Sequence, residues 1–199
     1  LVAMAQTNIK RLLGYSTIAH AGYLLVGLAA VASRSSGSPG ESILGPSSVL
    51  FYLGAYAATN LAAFFAIIAI SNKTGSEQIS DFAGMSRRAP YVAFALALAL
   101  VALVGVPPTG IFIAKLYIFT AAVNSDLLWL AIVGVVNSVV SAYYYLRVVR
   151  VMYLDPPASE ERVPSSYPFR VALGLSALGV LFVGIVPGPL LRLAEIAGL

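Results

Sequence analysis

Five long apolar blocks constrain the fold of this chain more than any other feature of its sequence. They lie at residues 9–32, 49–70, 91–123, 127–153 and 169–186. About 20 apolar residues in a helix, at a rise of 1.5 Å each, are enough to cross the ~30 Å hydrocarbon core of a bilayer. Only 10% of the residues are charged, against about 25% in soluble domains. The sequence therefore predicts an all-α polytopic membrane protein with five transmembrane helices, and it excludes a soluble enzyme and a disordered chain.

The residue types that most metal and redox sites need are scarce. The chain has no cysteine and a single histidine, which excludes disulfides, thiolate sites and sites with several histidine ligands. The net charge of +4 comes from short segments between the apolar blocks rather than from a basic patch, so nucleic acid is excluded as a partner. We expect no metal and no cofactor in this chain, and a lipid bilayer around it.

The distribution of cations predicts the orientation in the membrane, because cytoplasmic loops of membrane proteins are enriched in Lys and Arg. If the five blocks alternate across the bilayer, one side carries nine cations and the other only Arg34 and Arg192. The nine are Lys10, Arg11, Lys73, Arg87, Arg88, Arg147, Arg150, Arg162 and Arg170. We therefore expect loops 71–90 and 154–168 in the cytoplasm and the C-terminus on the outer face.

Three segments are predicted along the chain. Residues 1–153 hold four of the apolar blocks, 154–168 form a solvated cytoplasmic linker, and 169–199 form a last transmembrane helix with a short interfacial tail. The charged residues of 72–90 are expected only to solvate that loop. The chain starts with an apolar stub and without an initiator methionine, so we expect it to be the C-terminal part of a longer protein.

The third block contains a break, because Pro107 and Pro108 lie between Gly105 and Gly110 in its middle. Two consecutive prolines remove two N–H donors, and their rings clash with the preceding turn, so a helix cannot continue through them. Carbonyl groups near residues 103–104 should lose their partners, which a membrane tolerates only inside protein or beside a wet cavity. Such broken helices often mark ion or substrate sites, although a simple proline kink is the alternative.

Lys115 follows this break and is too deep to reach water. Its nearest loop is at Asp126, about 16 Å along a helix. A lysine at the centre of a bilayer costs ~2.5–3.5 kcal/mol and by default indicates function. We expect Lys115 to take part in a proton relay. The alternative is a structural lysine bound to carbonyl groups or to an acid outside this chain.

His20 lies near the middle of the first block, on one helical face with Ser16 and Tyr23. A neutral imidazole donates through one nitrogen and accepts through the other, so it can pass a proton, although a packing histidine is equally common. Two other blocks carry polar stripes, which could serve only as interhelical hydrogen bonds. The stripes are Tyr52, Tyr56, Thr59 and Asn60, and Asn137, Ser141 and Tyr144 with Ser138 and Tyr145 beside them. Three stripes around a buried lysine favour a hydrated proton path.

Three stretches of sequence resemble a known family of membrane proteins. Residues 6–25 contain Ile-Ala-His-Ala-Gly-Tyr, residues 105–115 read Gly-Val-Pro-Pro-Thr-Gly-Ile-Phe-Ile-Ala-Lys, and residues 143–153 start with Tyr-Tyr-Tyr-Leu-Arg. In this order, they resemble the start of the tenth helix, the broken twelfth helix with its mid-membrane lysine, and the end of the thirteenth helix of the antiporter-like subunits of respiratory complex I, the NADH–quinone oxidoreductase. The likeness covers nearly the whole chain and is greatest to the subunit N branch, the bacterial counterpart of mitochondrial subunit 2.

The resemblance implies a fold of fourteen helices, in which two inverted five-helix repeats form a hydrated axis for protons. Residues 1–153 would supply the end of helix nine and helices ten to thirteen, most of the second repeat, and the last block would be helix fourteen. By motif, Lys115 is the lysine of the broken twelfth helix, and Lys10 is a basic position at the cytoplasmic start of helix ten. Asn8 stands where sister subunits often carry an aspartate.

The resemblance further implies a place in the inner membrane of a bacterium, with sister antiporter-like subunits, other membrane subunits and the preceding helices as partners. FMN, iron–sulfur clusters and quinone would be bound elsewhere in the complex. On this hypothesis Lys115 is the switching site, and His20 and Lys10 take part in the proton relay. Two alternatives are a subunit of a multi-subunit cation/proton antiporter and a membrane scaffold with a purely structural Lys115.

Overall fold

The computed structural model describes residues 2–34, 44–157 and 167–197, and nearly all of them lie in helices. Within these residues the α-helices are α1 (Ile9–Arg34), α2 (Leu44–Thr74), α3 (Met85–Arg88), α4 (Pro90–Val104), α5 (Gly110–Val123), α6 (Leu128–Leu154), α7 (Tyr167–Ile185) and α8 (Gly188–Ala197). Short 3₁₀ helices cover Val2–Ala5 and Ile79–Phe82. The one β-type contact of the described residues is an antiparallel bridge between Asn8 and Gln78.

Three of the described helices are long and apolar enough to cross a membrane on their own, over Ile9–Ser33, Pro46–Thr74 and Leu128–Leu154. A fourth candidate is the pair Phe169–Ile185 and Gly188–Ala197, which is bent by 77°. The third predicted block forms the two shorter apolar helices α4 and α5, of 15 and 14 residues. The all-α membrane fold with one broken helix is therefore confirmed. The predicted tail forms the short helix α8, and its place at the membrane interface stays a prediction.

The helix of the second span extends beyond its predicted apolar block at both ends. The apolar block was expected at 49–70, whereas α2 covers Leu44–Thr74. Its last turn consists of polar residues, and Thr74 Oγ1 donates to the carbonyl of Ile70 at 3.1 Å. Lys73 also lies in this turn, where the negative end of the helix dipole stabilises a cation. Hydropathy reports where the apolar stretch stops, but a helix continues as long as its backbone hydrogen bonds are made.

The connection 72–90 also contributes to the packing of the bundle through apolar residues, which the prediction about its charged residues did not address. Ile79, Phe82 and Met85 are buried and pack in the same apolar cluster as the start of α1. Backbone hydrogen bonds tie the connection to the segment before α1, from Ile9 N to Glu77 O at 2.9 Å and from Ile79 N to Thr7 O at 2.8 Å. The start of α1 and the end of α2 thus lie at one end of the helix bundle.

The end of α6 lies at the same end of the bundle, since Arg147 donates to the carbonyl of Met4 at 3.0 Å. This agrees with the predicted alternation of the spans, while the side of the membrane that this end faces stays a prediction. Of the predicted linker 154–168, residues 154–157 are described, 158–166 lie outside the described residues, and Tyr167 already begins α7.

The helix break lies where the prolines predict it. α4 ends at Val104, and Gly105 follows in the left-handed conformation with φ 88°. The N–H groups of Gly105 and Val106 turn back to the carbonyls of Ala102 and Val101, at 2.9 and 3.4 Å. Such bonds satisfy acceptors that a helix end leaves unpaired. α5 then starts at Gly110.

The C-terminal part of the break packs against α7 through close backbone contact. A Cβ atom at Gly184 would lie 2.1 Å from the carbonyl oxygen of Pro108, and one at Gly110 would lie 2.6 Å from Val183 Cγ1. Small residues commonly allow such approaches between membrane helices. α7 therefore covers the buried Thr109 and Gly110 at the end of the break, whereas Val106, Pro107 and Pro108 are exposed among the described residues.

Candidate functional site

Lys115 is buried in the helix bundle with three uncharged partners. It lies on α5 and is 5% exposed. Its Nζ donates to the carbonyl of Val104 at 2.8 Å and to Ser138 Oγ at 3.0 Å. The amine also lies 4.7 Å from the centre of the Tyr23 ring, within the range of a cation–π contact. Among the described residues, no carboxylate lies within 4.0 Å of this amine.

The break in the helix supplies one of these partners. In an unbroken helix the carbonyl of Val104 would accept a hydrogen bond from the N–H of residue 108, but Pro108 has no N–H. Lys115 takes that place across the break. The sequence predicted both the carbonyl that loses its partner and the buried lysine, and the structure shows that they bind each other.

Tyr23 extends the site from Lys115 towards α1. Its hydroxyl shares a hydrogen bond of 3.0 Å with Ser138 Oγ. It also accepts one from Asn137 Nδ2 at 3.1 Å. Lys115, Ser138, Tyr23 and Asn137 therefore form one hydrogen-bonded set, here called the lysine set.

His20 is the centre of a second hydrogen-bonded set, here called the histidine set. His20 is 2% exposed. Its Nδ1 lies 2.7 Å from the hydroxyl of Tyr52, and its Nε2 lies 3.2 Å from the hydroxyl of Tyr145. Tyr145 also forms a hydrogen bond with Ser16, and the Tyr56 ring stacks on the imidazole with 4.6 Å between centroids. A neutral imidazole donates from one nitrogen and accepts at the other, so His20 can join two phenols on different helices.

Two residues of α6 lie between the sets. The rings of His20 and Tyr23 meet edge to face with 5.8 Å between centroids, which is not a hydrogen bond. The hydroxyl of Ser141 donates to the carbonyl of Ser138 in its own helix at 2.7 Å. The rings of Tyr144 and Tyr145 lie 4.6 Å apart between centroids. Ser141 thus adjoins the lysine set and Tyr144 the histidine set, and the direct contact between the two sets is the one between the His20 and Tyr23 rings.

Besides Ser141 and Tyr144, three more of the predicted polar side chains, those of Lys10, Thr59 and Asn60, lie outside both sets. Lys10 forms an ion pair of 2.5 Å with Glu77, and both side chains are 39% exposed. The hydrogen bonds from Lys10 and Asn8 hold the pKa of Glu77 below its usual value. Thr59 donates to the carbonyl of Ala55 in its own helix at 2.8 Å, and Asn60 is half-buried beside it. The relay role of Lys10 stays a prediction.

Ser138 and Tyr145 were noted in the sequence only as neighbours of the α6 stripe, yet they contact Lys115 and His20 directly. Together with Ser141 they lie at positions i, i+3 and i+7 of one helix, and this spacing marks a single face. That pattern could have identified them. Thr17 was missed altogether; its Oγ1 lies 3.0 Å from the hydroxyl of Tyr56.

No group of three or more His, Cys, Asp or Glu residues in the described ranges could hold a metal ion. The side chains of the two sets instead offer hydrogen-bond donors and acceptors from four helices, α1, α2, α5 and α6. Such an arrangement can hold a proton at Lys115 or His20 and exchange it through hydroxyl groups. It has neither a nucleophile–base pair nor an acid–base pair of carboxylates.

Comparison with curated proteins finds similar chains in several bacteria. NADH-quinone oxidoreductase subunit N of Dehalococcoides mccartyi is 53% identical over 195 residues, which are 98% of this chain and 39% of that protein. The subunit N of Heliobacterium modesticaldum is 41% identical over 99% of this chain and 40% of its own length. This chain therefore spans about two fifths of the relatives that it matches.

Solved structures show the same fold. The membrane-bound sulfane sulfur reductase, an archaeal respiratory membrane complex, contains a chain that matches with a TM-score of 0.86 and 31% identity, over 100% of this chain and 38% of that one. A chain of respiratory complex I from Thermus thermophilus matches with a TM-score of 0.76 and 27% identity, over 96% and 41%. The Mrp complex from Dietzia has a TM-score of 0.84 at 20% identity, over 98% and 43%, and shows the fold alone.

The family described as "NADH:quinone oxidoreductase/Mrp antiporter, TM" matches residues 1–141, which include α1, the broken helix pair α4–α5, Lys115 and the polar face of α6. On this match, the chain belongs to the NADH:quinone oxidoreductase/Mrp antiporter membrane family.

Proposed function

We propose that this chain is part of a proton-translocating membrane subunit of an NADH–quinone oxidoreductase, and that Lys115 is the site at which protonation changes. The observation that carries the proposal is the set of neutral partners around the buried Lys115 amine, a carbonyl, a hydroxyl and an aromatic ring. A buried ion pair would be costly to break. Neutral partners let the amine gain or lose a proton without that cost.

The two hydrogen-bonded sets suggest a route for the proton. From Lys115 it runs through Ser138 to Tyr23. On the other side it runs from His20 to Tyr52, and by Tyr145 to Ser16. The step between Tyr23 and His20, whose ring centroids are 5.8 Å apart, would need a water molecule. Each hydroxyl both donates and accepts, so a proton can be passed on by successive exchange and rotation. His20 can hold it or pass it between its two nitrogens.

In this proposal the energy comes from quinone reduction elsewhere in the complex, where FMN, iron–sulfur clusters and quinone are bound. Partners are the rest of the subunit, the sister antiporter-like subunits and other membrane subunits, in the inner membrane of a bacterium. The support is that the similar curated proteins are named subunit N of NADH-quinone oxidoreductase. Loops 71–90 and 154–168 would face the cytoplasm, as the distribution of cations favours.

A subunit of a cation/proton antiporter is the second candidate. The likeness to the Mrp complex, at a TM-score of 0.84, favours it as far as the fold goes. The 53% identity to a subunit N favours the first candidate. A membrane scaffold is the third candidate, because hydrogen bonds to neutral partners also suit a lysine with a purely structural role.

Purification of the full-length protein from its native membrane, followed by reconstitution into vesicles, separates the first two candidates. We expect it to copurify with NADH-oxidising partners, and NADH with a quinone should drive proton uptake into the vesicles. A preparation without NADH oxidation, in which a sodium gradient alone moves protons, would contradict the proposal and support the antiporter.

A further inference from the structure

Gly105 lies directly beneath the side chain of Lys115. A Cβ atom at Gly105 would lie 3.1 Å from Lys115 Cδ, 3.4 Å from its Nζ and 3.5 Å from its Cε. Contacts of 3.1 Å are tighter than nearly all real Cβ contacts. The lysine therefore crosses the break over a position that has no side chain.

The same glycine also determines where the lysine's acceptor lies. Gly105 adopts φ 88°, which L-residues with a Cβ rarely adopt. This conformation ends α4 at Val104 and leaves the Val104 carbonyl for the amine at 2.8 Å. Since the amine reaches Ser138 Oγ at 3.0 Å from the same position, a shift of the lysine would weaken both contacts together.

We propose that Gly105 is a positioning residue for Lys115: its missing side chain lets the lysine lie across the helix break, with its amine on the Val104 carbonyl and the Ser138 hydroxyl at once. The inference rests on the proposed function, in which Lys115 exchanges protons with the Ser138 hydroxyl. A Cβ at position 105 pushes the amine away from Ser138 and interrupts the connection to Tyr23.

The test compares Gly105→Ala with Gly75→Ala in the full-length protein within its complete complex, reconstituted in vesicles. Gly75 also has a positive φ of 67°, but a Cβ there would meet nothing within 4 Å. Both variants carry backbone strain, and only the first crowds Lys115. The contact with Lys115 Cδ requires the lysine to give by a few tenths of an ångström. Because displacement of a reacting group by about 1 Å can cost 10²-fold in rate, we expect Gly105→Ala to lower NADH-driven proton uptake several-fold. Gly75→Ala should stay near the wild type.

Gly105→Asn separates strain from crowding and also serves if Gly105→Ala does not assemble. Asparagine tolerates the left-handed conformation better than alanine, yet it has a Cβ. We expect Gly105→Asn to assemble and to lose proton uptake. Recovery of uptake in Gly105→Asn, or normal uptake in Gly105→Ala, would overturn the proposal.

The pH profile of proton uptake distinguishes placement of the lysine from a general loss of structure. We expect the midpoint of the profile to move in Gly105→Ala or Gly105→Asn, because the surroundings of the amine change. A lower profile with an unchanged midpoint would overturn the positioning role. Lys115→Ala belongs in the same series: wild-type uptake in that variant refutes the proposed function itself, whatever the Gly105 variants show.

Discussion

The hydroxyl of Tyr52 lies 2.7 Å from His20 Nδ1, so a tyrosine of α2 and the single histidine of the chain are joined in the buried interior. The other imidazole nitrogen bonds Tyr145 of α6. One imidazole thus connects three helices. Both nitrogens have a tyrosine hydroxyl as partner, and neither of these described partners is charged.

Tyr52→Phe removes this hydroxyl and keeps the ring. An unsatisfied buried nitrogen costs about 1–3 kcal/mol, so we expect lower stability of the subunit and slower proton uptake. Thermal unfolding and vesicle assays measure the two effects. Tyr143→Phe is the matched control, since Tyr143 is on α6 beside Tyr144 and is exposed. Equal results for the two variants would show that His20 does not depend on Tyr52.

Ser138→Ala should interrupt the lysine set, because Ser138 is bonded to both Lys115 and Tyr23. A hydrogen bond to a charged group contributes about 1.5–3 kcal/mol, and we expect proton uptake to fall about ten-fold. Ser138→Thr keeps a hydroxyl and should retain more uptake. The control is Ser176→Ala, whose exposed hydroxyl bonds only within α7. Uptake in Ser138→Ala as high as in the control would exclude Ser138 from the route.

Gly184→Ala should destabilise the protein, because its Cβ would lie 2.1 Å from the carbonyl oxygen of Pro108. Overpacking of this kind costs about 1–3 kcal/mol or more. The control is Gly179→Ala in the same helix, where a Cβ atom would meet nothing within 4 Å. We expect a lower unfolding temperature and less assembled complex for Gly184→Ala only. A wild-type unfolding temperature would contradict the close contact between α7 and the break.

The ion pair of Lys10 and Glu77 predicts a dependence of stability on pH. The hydrogen bonds from Lys10 and Asn8 lower the pKa of Glu77 below the usual 4.5. A carboxyl group whose pKa is lowered by folding stabilises the fold when the pH is above the pKa of the unfolded chain. This stabilisation is lost as the pH falls through the lowered pKa of the folded protein. Glu77→Gln should lack this acid-dependent loss in unfolding experiments. The same loss in Glu77→Gln would mean that other groups cause it.

The sequence predicted the parts of the site that are close together along the chain. The prolines, the freed carbonyl and Lys115 all lie within one apolar block, so helix geometry alone indicated a break beside a buried cation. The same holds for Ser16, His20 and Tyr23 on one helical face. These predictions needed only the rise and the period of a helix.

The partners across helices could not be predicted in the same way. His20 and Tyr145 are 125 residues apart and Lys115 and Ser138 are 23 apart, and their contacts depend on how α6 is rotated against α1 and α5. The stripe chosen on α6 was therefore displaced from the face that binds Lys115. The connection 72–90 was judged by its charges, although its buried Ile79, Phe82 and Met85 decide its packing.

The most direct test of the account is the number of protons taken up per electron in the complete complex with Lys115→Ala. NADH–quinone turnover and proton uptake are recorded on the same vesicles, with the exposed Lys73→Ala as control. We predict normal assembly in both variants, with turnover or protons per electron greatly reduced for Lys115→Ala alone. Wild-type turnover and stoichiometry in Lys115→Ala would contradict the account and make Lys115 a structural residue.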